Sequence, residues 1–281
     1  MAVSVVASIP SPGDNVLHLG PLQVRYYGLA IVAGVVAGVA VARRRWEARG
    51  GDPDDISAIA LWAVPGGLVG ARLYHVATDW PRFVGHWGEV YKIWQGGLGI
   101  PGGILGGVLV GMVVARRRRL PIPELLDVVA PAFPLAQAIG RLGNWFNQEL
   151  FGRPTTLPWG LRIDPAHRPP GDERFATFHP TFLYEALWNL GLMAVLLWLD
   201  HRRRLRPGEL FTLYVLGYFL GRLWVEALRV DAASRLLGLR VNIVVSGVAI
   251  LAAIAVFVFR RRGSVEPSRD DADAPSAVSD R

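Results

Sequence analysis

Residues 22–42 read LQVRYYGLAIVAGVVAGVAVA and are followed at once by Arg43, Arg44 and Arg45. A run of about 20 apolar residues is long enough to cross roughly 30 Å of hydrocarbon as a helix, at 1.5 Å of rise per residue. Arginines directly behind such a run are typical of a cytoplasmic flank. This stretch therefore predicts a membrane-spanning helix that begins outside the cell and ends inside it.

Six further apolar runs of about 18 to 22 residues follow, so the sequence predicts an all-α membrane protein with seven transmembrane helices. Arginine clusters follow alternate runs, whereas the short loop 78–96 carries only Arg82 and Lys92 as basic residues. The positive-inside rule then places the N-terminus outside and the C-terminus in the cytoplasm. The predicted spans are 22–42, 56–77, 98–115, 125–142, 181–199, 210–228 and 241–259.

The composition agrees with a protein that lies in the lipid bilayer. Of the 281 residues, 52% are hydrophobic and 19% are charged, whereas soluble domains are about a quarter charged. The net charge of +7 would suit nucleic acid or anionic lipid, and the apolar runs favour lipid. The absence of cysteine excludes disulfides and a cysteine nucleophile, and no H-E-x-x-H pattern indicates zinc. We therefore expect no metal, no cofactor and no nucleic acid partner.

Two segments lie outside the predicted spans and divide the chain. Residues 150–177 are rich in Pro, Arg and Asp and predict a small extracytoplasmic cap on a membrane domain of residues 1–262. Residues 263–281 are acidic and almost without apolar side chains, which predicts a disordered cytoplasmic tail. The first 20 residues lack the basic and apolar regions of a signal peptide, so we expect no cleavage there.

Ionisable residues inside the predicted spans point to function. An arginine near mid-membrane costs about 2.5–3.5 kcal/mol on insertion scales, so it needs a partner or a polar cavity. Arg222 lies roughly 20 Å along its helix from Glu209 and shares one face with Tyr218 and Glu226. The cytoplasmic halves of the spans are nearly all Leu, Val, Ala and Gly. Other polar residues of the outer halves are Tyr26, Tyr27, Arg72, Tyr74, His75, Arg141, Asn144, Asn147, Glu149, His179, Tyr184 and Glu185.

This one-sided distribution predicts a polar cavity open to the outer leaflet. Guanidinium groups match phosphate oxygens in pairs and keep their charge when buried, so Arg141 and Arg222 would bind a lipid phosphate. Structural alternatives remain for each residue. Arg222 and Glu226 could form an ion pair that only holds helices together, and Arg141 could anchor the interface. Tyr27 could belong to an interfacial aromatic belt, and Glu185 could be a helix-start charge.

Residues 141–153, RLGNWFNQELFGR, closely resemble the signature of the prolipoprotein diacylglyceryl transferase family. Shorter matches occur in order at 25–28, 70–72, 94–98, 179–185 and 218–226, so the resemblance covers all seven spans and excludes the tail. It implies an enzyme of the bacterial inner membrane whose active site faces the outer leaflet. Such an enzyme moves the diacylglyceryl group of phosphatidylglycerol to the lipobox cysteine of a preprolipoprotein, which leaves a thioether and glycerol phosphate.

The resemblance also implies roles for individual residues. The essential arginines of the family fall on Arg141 and Arg222, and we expect Glu149 and Glu226 to position them. We also expect several residues to bind the substrate or orient its headgroup. These are Tyr27, Arg72, Asn144, Gly152, His179 and Tyr218.

One position departs from the family pattern. Where the family often carries a histidine at the start of the third span, proposed to take the thiol proton, this chain has Pro101. Either that histidine is not the base in this branch, or another residue serves, or the chain is inactive. The candidates for another base are Glu226, Glu149, Tyr27 and His179. A phosphomonoester leaving group has a second pKa near 6, so it needs charge stabilisation more than a general acid.

An anion or lipid-headgroup transporter is the alternative function, because it could use the same intramembrane arginines. A transporter predicts polar residues that continue to the inner face of the membrane. A rhomboid-like protease would need a Gly-x-Ser-Gly element, which Ser246 and Gly247 fit poorly.

Overall fold

The computed structural model describes residues 8–20, 22–202, 205–231, 235–236 and 238–262. The predicted tail 263–281 lies outside these residues. Three small antiparallel pairs join the helices: β1 (Val16–Leu19) with β2 (Leu22–Arg25), β3 (Leu161–Arg162) with β4 (Thr177–Phe178), and β5 (Arg235–Leu236) with β6 (Leu239–Arg240). The helices are α1 (Tyr26–Glu47), α2 (Pro53–Thr78), α3 (Trp80–Phe83), α4 (Ile100–Arg117), α5 (Ile122–Val129), α6 (Ala132–Asn147), α7 (Thr181–Arg202), α8 (Glu209–Leu228) and α9 (Val241–Arg262).

Within the described part of the chain, seven helices are long and apolar enough to cross a membrane, counting α5 and α6 as one. This confirms the predicted number, but several predicted boundaries are wrong. The first helix begins at Tyr26, because residues 22–25 pair with β1 as a strand. The fourth span is broken after Val129, because a proline at position 131 cannot donate to a helical carbonyl. The third begins only at Ile100, after Gly96 and Gly97 with φ of 93° and 76°.

The bundle has two unlike ends. At one end, here called the cap end, the segment between α6 and α7 folds over the bundle around an apolar core. At the other, the arginine-rich end, arginines lie in the last turn of α1, α4, α7 and α9. The N-terminal segment joins the cap end, since Ile9 pairs with Leu161. The core of the cap end contains Phe151, Leu161, Ile163, Phe178 and Phe182.

Glycine seams bring the helix backbones together. A Cβ added at Gly70 of α2 would lie 2.3 Å from the carbonyl oxygen of Gly102 in α4. A Cβ at Gly34 of α1 would lie 2.7 Å from the carbonyl oxygen of Ala136 in α6. Such contacts allow only glycine at these two positions, and they let the helix backbones pack closely. The pairing of α1 with α6 brings Tyr27 beside the end of α6, where the sequence predicted the functional site.

The expectation that the cytoplasmic halves are almost purely apolar is wrong. At the arginine-rich end the buried carboxylate of Asp127 accepts hydrogen bonds from the backbone N–H of Gly208 and Phe211, at 2.7 and 2.9 Å. The buried carboxylate of Glu209 accepts one from Arg261 at 2.9 Å. Turns between spans leave N–H groups without helical partners, and buried acids satisfy them where no water is available.

The predicted orientation can be tested by cysteine labelling, because the chain has no cysteine of its own. We expect His18→Cys, an exposed position in β1, to react with a membrane-impermeant maleimide on intact spheroplasts. Arg117→Cys, exposed at the end of α4, should react only after the membrane is permeabilised. The reverse labelling pattern would contradict an external N-terminus.

Candidate active site

Three helices bring a carboxylate and two guanidinium groups together below the cap end. Glu185 of α7 contacts Arg141 of α6 through Oε2, and its Oε1 lies 3.0 Å from Nη1 of Arg222 in α8. The side chains are 9%, 20% and 13% exposed, respectively. One carboxylate therefore joins the two arginines that the sequence singled out, and we call these three residues the Arg–Glu–Arg bridge.

Both arginines of the bridge keep hydrogen-bonding capacity for a ligand. A guanidinium has five N–H donors. Besides Glu185, Arg141 donates to Oδ1 of Asn144 at 3.2 Å, and Arg222 pairs with Oε2 of Glu226 at 2.8 Å. Each guanidinium thus retains donors beyond these contacts and remains partly exposed. A small cleft borders the bridge and is lined by Glu185, Trp188, Asn189, Tyr218, Gly221, Arg222 and Val225.

Glu226 supports the bridge from behind and is fully buried. Its Oε1 accepts hydrogen bonds from Nε of Arg240 at 2.7 Å and from the Asn242 amide at 3.1 Å. With Arg222 at 2.8 Å and Arg229 at 3.6 Å, three guanidinium groups surround this carboxylate. That much positive charge stabilises its ionised form, as a buried carboxylate requires.

Asp231, just after α8, completes this network outside the predicted spans. Arg229 binds it through two parallel hydrogen bonds of 2.7 and 2.8 Å. Burial raises the pKa of Asp231, but the arginine contacts outweigh burial and hold that pKa below its ordinary value. Asp231 therefore stays ionised and fixes Arg229 beside Glu226.

Glu149 reaches the bridge only indirectly. Its Oε1 accepts hydrogen bonds from the amides of Asn144 and Asn147, at 2.9 and 3.1 Å. Asn144 is 4% exposed, and its Oδ1 accepts a hydrogen bond from Arg141. Glu149 therefore orients Arg141 through the side-chain amide of Asn144. Glu149 thus lies one amide away from Arg141, whereas Glu185 is the carboxylate in direct contact with that arginine.

Gly152 allows three segments to meet at the edge of the site. Its N–H donates to the carbonyl of His179 at 2.9 Å, and its backbone pairs with Arg229. A Cβ at this position would lie 2.8 Å from Cβ of His179 and 3.1 Å from the carbonyl oxygen of Leu228. The close approach therefore requires glycine, and through it the loop after α6 is fixed to both α7 and α8.

His179 and Tyr27 lie at the edge of the site. The His179 ring contacts the hydroxyl of Tyr184 at 3.1 Å. Burial, together with the charge of Arg153, lowers the pKa of His179 below its ordinary value, so its ring is neutral at pH 7. Tyr27 packs directly on α6, since a Cβ at Gly143 would lie 2.6 Å from its ring.

Arg72, predicted to bind substrate, is already engaged by the loop before α4. Its guanidinium is buried and donates to the carbonyls of Glu89, Val90, Gly96 and Gly97, at 2.5 to 2.9 Å. Four of its five donors are thus used by the backbone. Its contacts hold this loop in place, and a role in substrate binding stays a prediction. Within the described residues, no three His, Asp or Glu side chains group closely enough to hold a metal ion.

Sequence reasoning did not find all of the network. It weighed Glu185 equally as a helix-start charge, and it did not single out Arg240, Asn242 or Asn189 as site residues. The sequence offered a signal for Glu185, because this acid lies one turn into an apolar span and no basic residue of that span lies within several turns of it. Arg240 and Asn242 offered a weaker one, as polar residues directly before the last span and at its second position.

Comparison with known proteins shows what this arrangement resembles. A family model described as prolipoprotein diacylglyceryl transferase matches residues 14–259. A phosphatidylglycerol–prolipoprotein diacylglyceryl transferase of Frankia alni is 52% identical over 281 residues, which cover 99% of this chain and 74% of that protein. The second such enzyme of Streptomyces coelicolor is 52% identical over 256 residues, covering 90% and 81%. That of Corynebacterium glutamicum is 44% identical over 291 residues, covering 99% and 91%.

The bridge predicts that Glu185 is important for stability. We expect Glu185→Gln to lower the free energy of unfolding by about 3 kcal/mol, because two largely buried arginines lose the negative charge that compensates them. Thermal unfolding of the purified protein in detergent measures the effect. Glu47→Gln, at an exposed carboxylate at the end of α1, is the control and should leave the unfolding temperature unchanged. Equal unfolding temperatures for Glu185→Gln and the unmodified protein would show that the bridge does not stabilise the bundle.

Proposed function

This chain belongs to the prolipoprotein diacylglyceryl transferase family, and we propose that it modifies the lipobox cysteine of preprolipoproteins. It is a transferase and a multi-pass membrane protein, and its substrates are phosphatidylglycerol and a prolipoprotein. The observation that carries the proposal is the Arg–Glu–Arg bridge, in which guanidinium groups of two separate helices bind one anionic group.

The bridge is suited to bind the phosphate of phosphatidylglycerol. Glu185 already occupies the space between the two arginines as a planar anion, so their spacing fits an oxyanion held from both sides. The donors that Arg141 and Arg222 retain are available to phosphate oxygens. Tyr27 of α1 and Asn144 of α6 would orient the headgroup. Glu226 would hold Arg222, and Glu149 would hold Arg141 through Asn144.

The reaction then follows from charge. The cysteine sulfur attacks the glycerol carbon that carries the phosphate, a C–S bond forms, and the C–O bond to the phosphate breaks. The oxygen keeps the electron pair, so glycerol phosphate leaves with an additional negative charge. Two arginines in a site poor in water stabilise that charge as it develops, which is usually the largest catalytic contribution. No general acid is needed, because the second pKa of the leaving phosphate is near 6.

The thiol must lose a proton during the attack. A free thiol has a pKa of about 8.5, and a positive field increases the thiolate fraction at neutral pH. Of the candidate bases, Glu226 is the least suited, since three guanidinium groups stabilise its ionised form. Glu149, Tyr27 and the neutral ring of His179 remain candidates, and the departing phosphate can also accept the proton.

We further propose that the protein resides in the bacterial inner membrane with this site toward the outer leaflet. The lipobox segment would then enter sideways from the bilayer. The transporter alternative is not favoured, because the relatives are named as transferases. The distribution of polar residues alone does not distinguish a transferase from a transporter, since Asp127 and Glu209 are buried acids at the arginine-rich end as well.

Substitution of either bridging arginine should abolish transfer. We expect Arg141→Ala and Arg222→Ala to lower the rate at least 100-fold, the effect typical of losing one preorganised donor to a developing oxyanion. Mass spectrometry of a lipobox peptide incubated with phosphatidylglycerol and the purified protein measures the gain of one diacylglyceryl unit. Arg82→Ala, an exposed arginine after α2, is the matched control and should retain full activity. Full activity of purified Arg141→Ala would refute the assignment.

The proline at the family's histidine position should not prevent turnover. Pro101 is the second residue of α4, a position where a helix tolerates proline without losing a hydrogen bond. In the same peptide assay we expect the unmodified chain to transfer, and Pro101→His to change the rate by less than about tenfold, below the 10² to 10⁴ typical of a dedicated base. Transfer by Pro101→His alone would indicate that this chain is a degenerate paralogue.

A further inference from the structure

A layer of neutral polar side chains lies one helical turn farther from the cap end than the Arg–Glu–Arg bridge. Helices α6 and α8 run toward the cap end, and α7 runs away from it. Residues that precede the bridge in α6 and α8, and residues that follow it in α7, therefore lie on the side of the bridge away from the cap end. Four residues along an α-helix correspond to a rise of about 6 Å. The layer consists of Gln137, four residues before Arg141; Asn189, four residues after Glu185; and Tyr218, four residues before Arg222.

Asn189 stands out in this layer because it has no partner among the described residues. It is 2% exposed and lines the same cleft as Glu185 and Arg222, yet its amide makes no hydrogen bond there and its Oδ1 is buried without one. Gln137 differs in that its NH₂ group has a partner, since Nε2 donates to the Tyr214 hydroxyl at 3.0 Å, although its Oε1 is also buried without a hydrogen bond. A buried amide is normally hydrogen-bonded, so an unpaired one facing a cleft indicates a ligand group.

The proposed function identifies what lies at that depth. A phospholipid that enters from the leaflet near the cap end keeps its acyl chains toward the membrane centre. With its phosphate on Arg141 and Arg222, its headgroup lies toward the cap end. The glycerol backbone and its two ester groups then come next in the direction of Asn189. An ester carbonyl is a hydrogen-bond acceptor, and the NH₂ group of Asn189, which has no partner among the described residues, supplies the donor that it needs.

We propose that Asn189 donates a hydrogen bond to an ester carbonyl of the diacylglyceryl group. This inference rests on the proposed function and adds a second point of attachment below the phosphate. Two attachments fix the carbon between them, which is the carbon that the cysteine sulfur attacks. Asn189 is thus a substrate-binding residue that makes the enzyme select ester-linked lipids.

The test compares two forms of phosphatidylglycerol with matched chains, one ester-linked and one ether-linked, in mixed detergent micelles. The ether-linked lipid keeps the phosphate and both chains but lacks the carbonyl. We expect the unmodified protein to favour the ester form by about two- to tenfold in kcat/KM, the worth of one hydrogen bond. Asn189→Leu, which keeps the number and branching of the side-chain heavy atoms but has no polar group, should bring this ratio close to one.

Stability separates a binding role from a structural one. Asn189→Leu replaces an unpaired buried amide with an apolar group, so we expect its unfolding temperature to be unchanged or higher. Gln137→Leu is the matched control, because it removes an amide of the same layer whose NH₂ group already has a protein partner. This control should retain the preference for the ester form, even where it lowers the unfolding temperature.

The outcomes are distinct. Equal use of both lipids by the unmodified protein would overturn the inference and leave the proposed function intact. An ester preference that survives in Asn189→Leu would also overturn it, as would an equal loss of turnover on both lipids together with a lower unfolding temperature. No transfer from either lipid by the unmodified protein would overturn the proposed function, and this inference with it.

Discussion

The burial of two guanidinium charges against one carboxylate sets the main constraint on this bundle. An unpaired arginine at this depth would be costly, so Arg141 and Arg222 require Glu185 between them. Since the three residues come from three helices, α6, α7 and α8 cannot shift relative to one another without separating charges. Gly152 adds a second connection among the same helices, because it fixes the loop after α6 to the start of α7 and the end of α8.

A second buried carboxylate, Glu226, compensates arginine charge on the side of the bridge away from the cleft. Glu226 is fully buried and shared among Arg222, Arg229 and Arg240, so it ties the end of α8 to the start of α9. The two carboxylates therefore have different roles. Glu185 faces the cleft and joins the two arginines that bind the phosphate in our proposal, whereas Glu226 holds one of them from the protein side. This division explains why an anion site within a membrane needs several acids.

Strong, repetitive signals made much of the fold predictable. Apolar runs such as 22–42 gave the number of spans, because hydrocarbon thickness fixes the length of a crossing helix. The errors were local. Residues 22–25 adjoin the apolar run and were predicted as its first residues, but they form a strand, because β1 offers a pairing partner. The proline at position 131 divides the fourth span, although hydrophobicity continues across it.

The sequence by itself determined which residues are too polar for lipid, and so it pointed to Arg141, Arg222, Asn144 and Glu226 before any contact was visible. Only the tertiary structure decided how those charges pair. Glu185 contacts both arginines, whereas Glu149 is separated from Arg141 by the amide of Asn144. Arg72 donates to backbone carbonyls, and Oδ1 of Asn189 has no hydrogen-bond partner. The physical reason is that the cost of burying a charge depends on one residue and its depth. The interactions that offset this cost depend on which side chains of other helices point toward the charge. The spacing of residues along the sequence does not specify those directions.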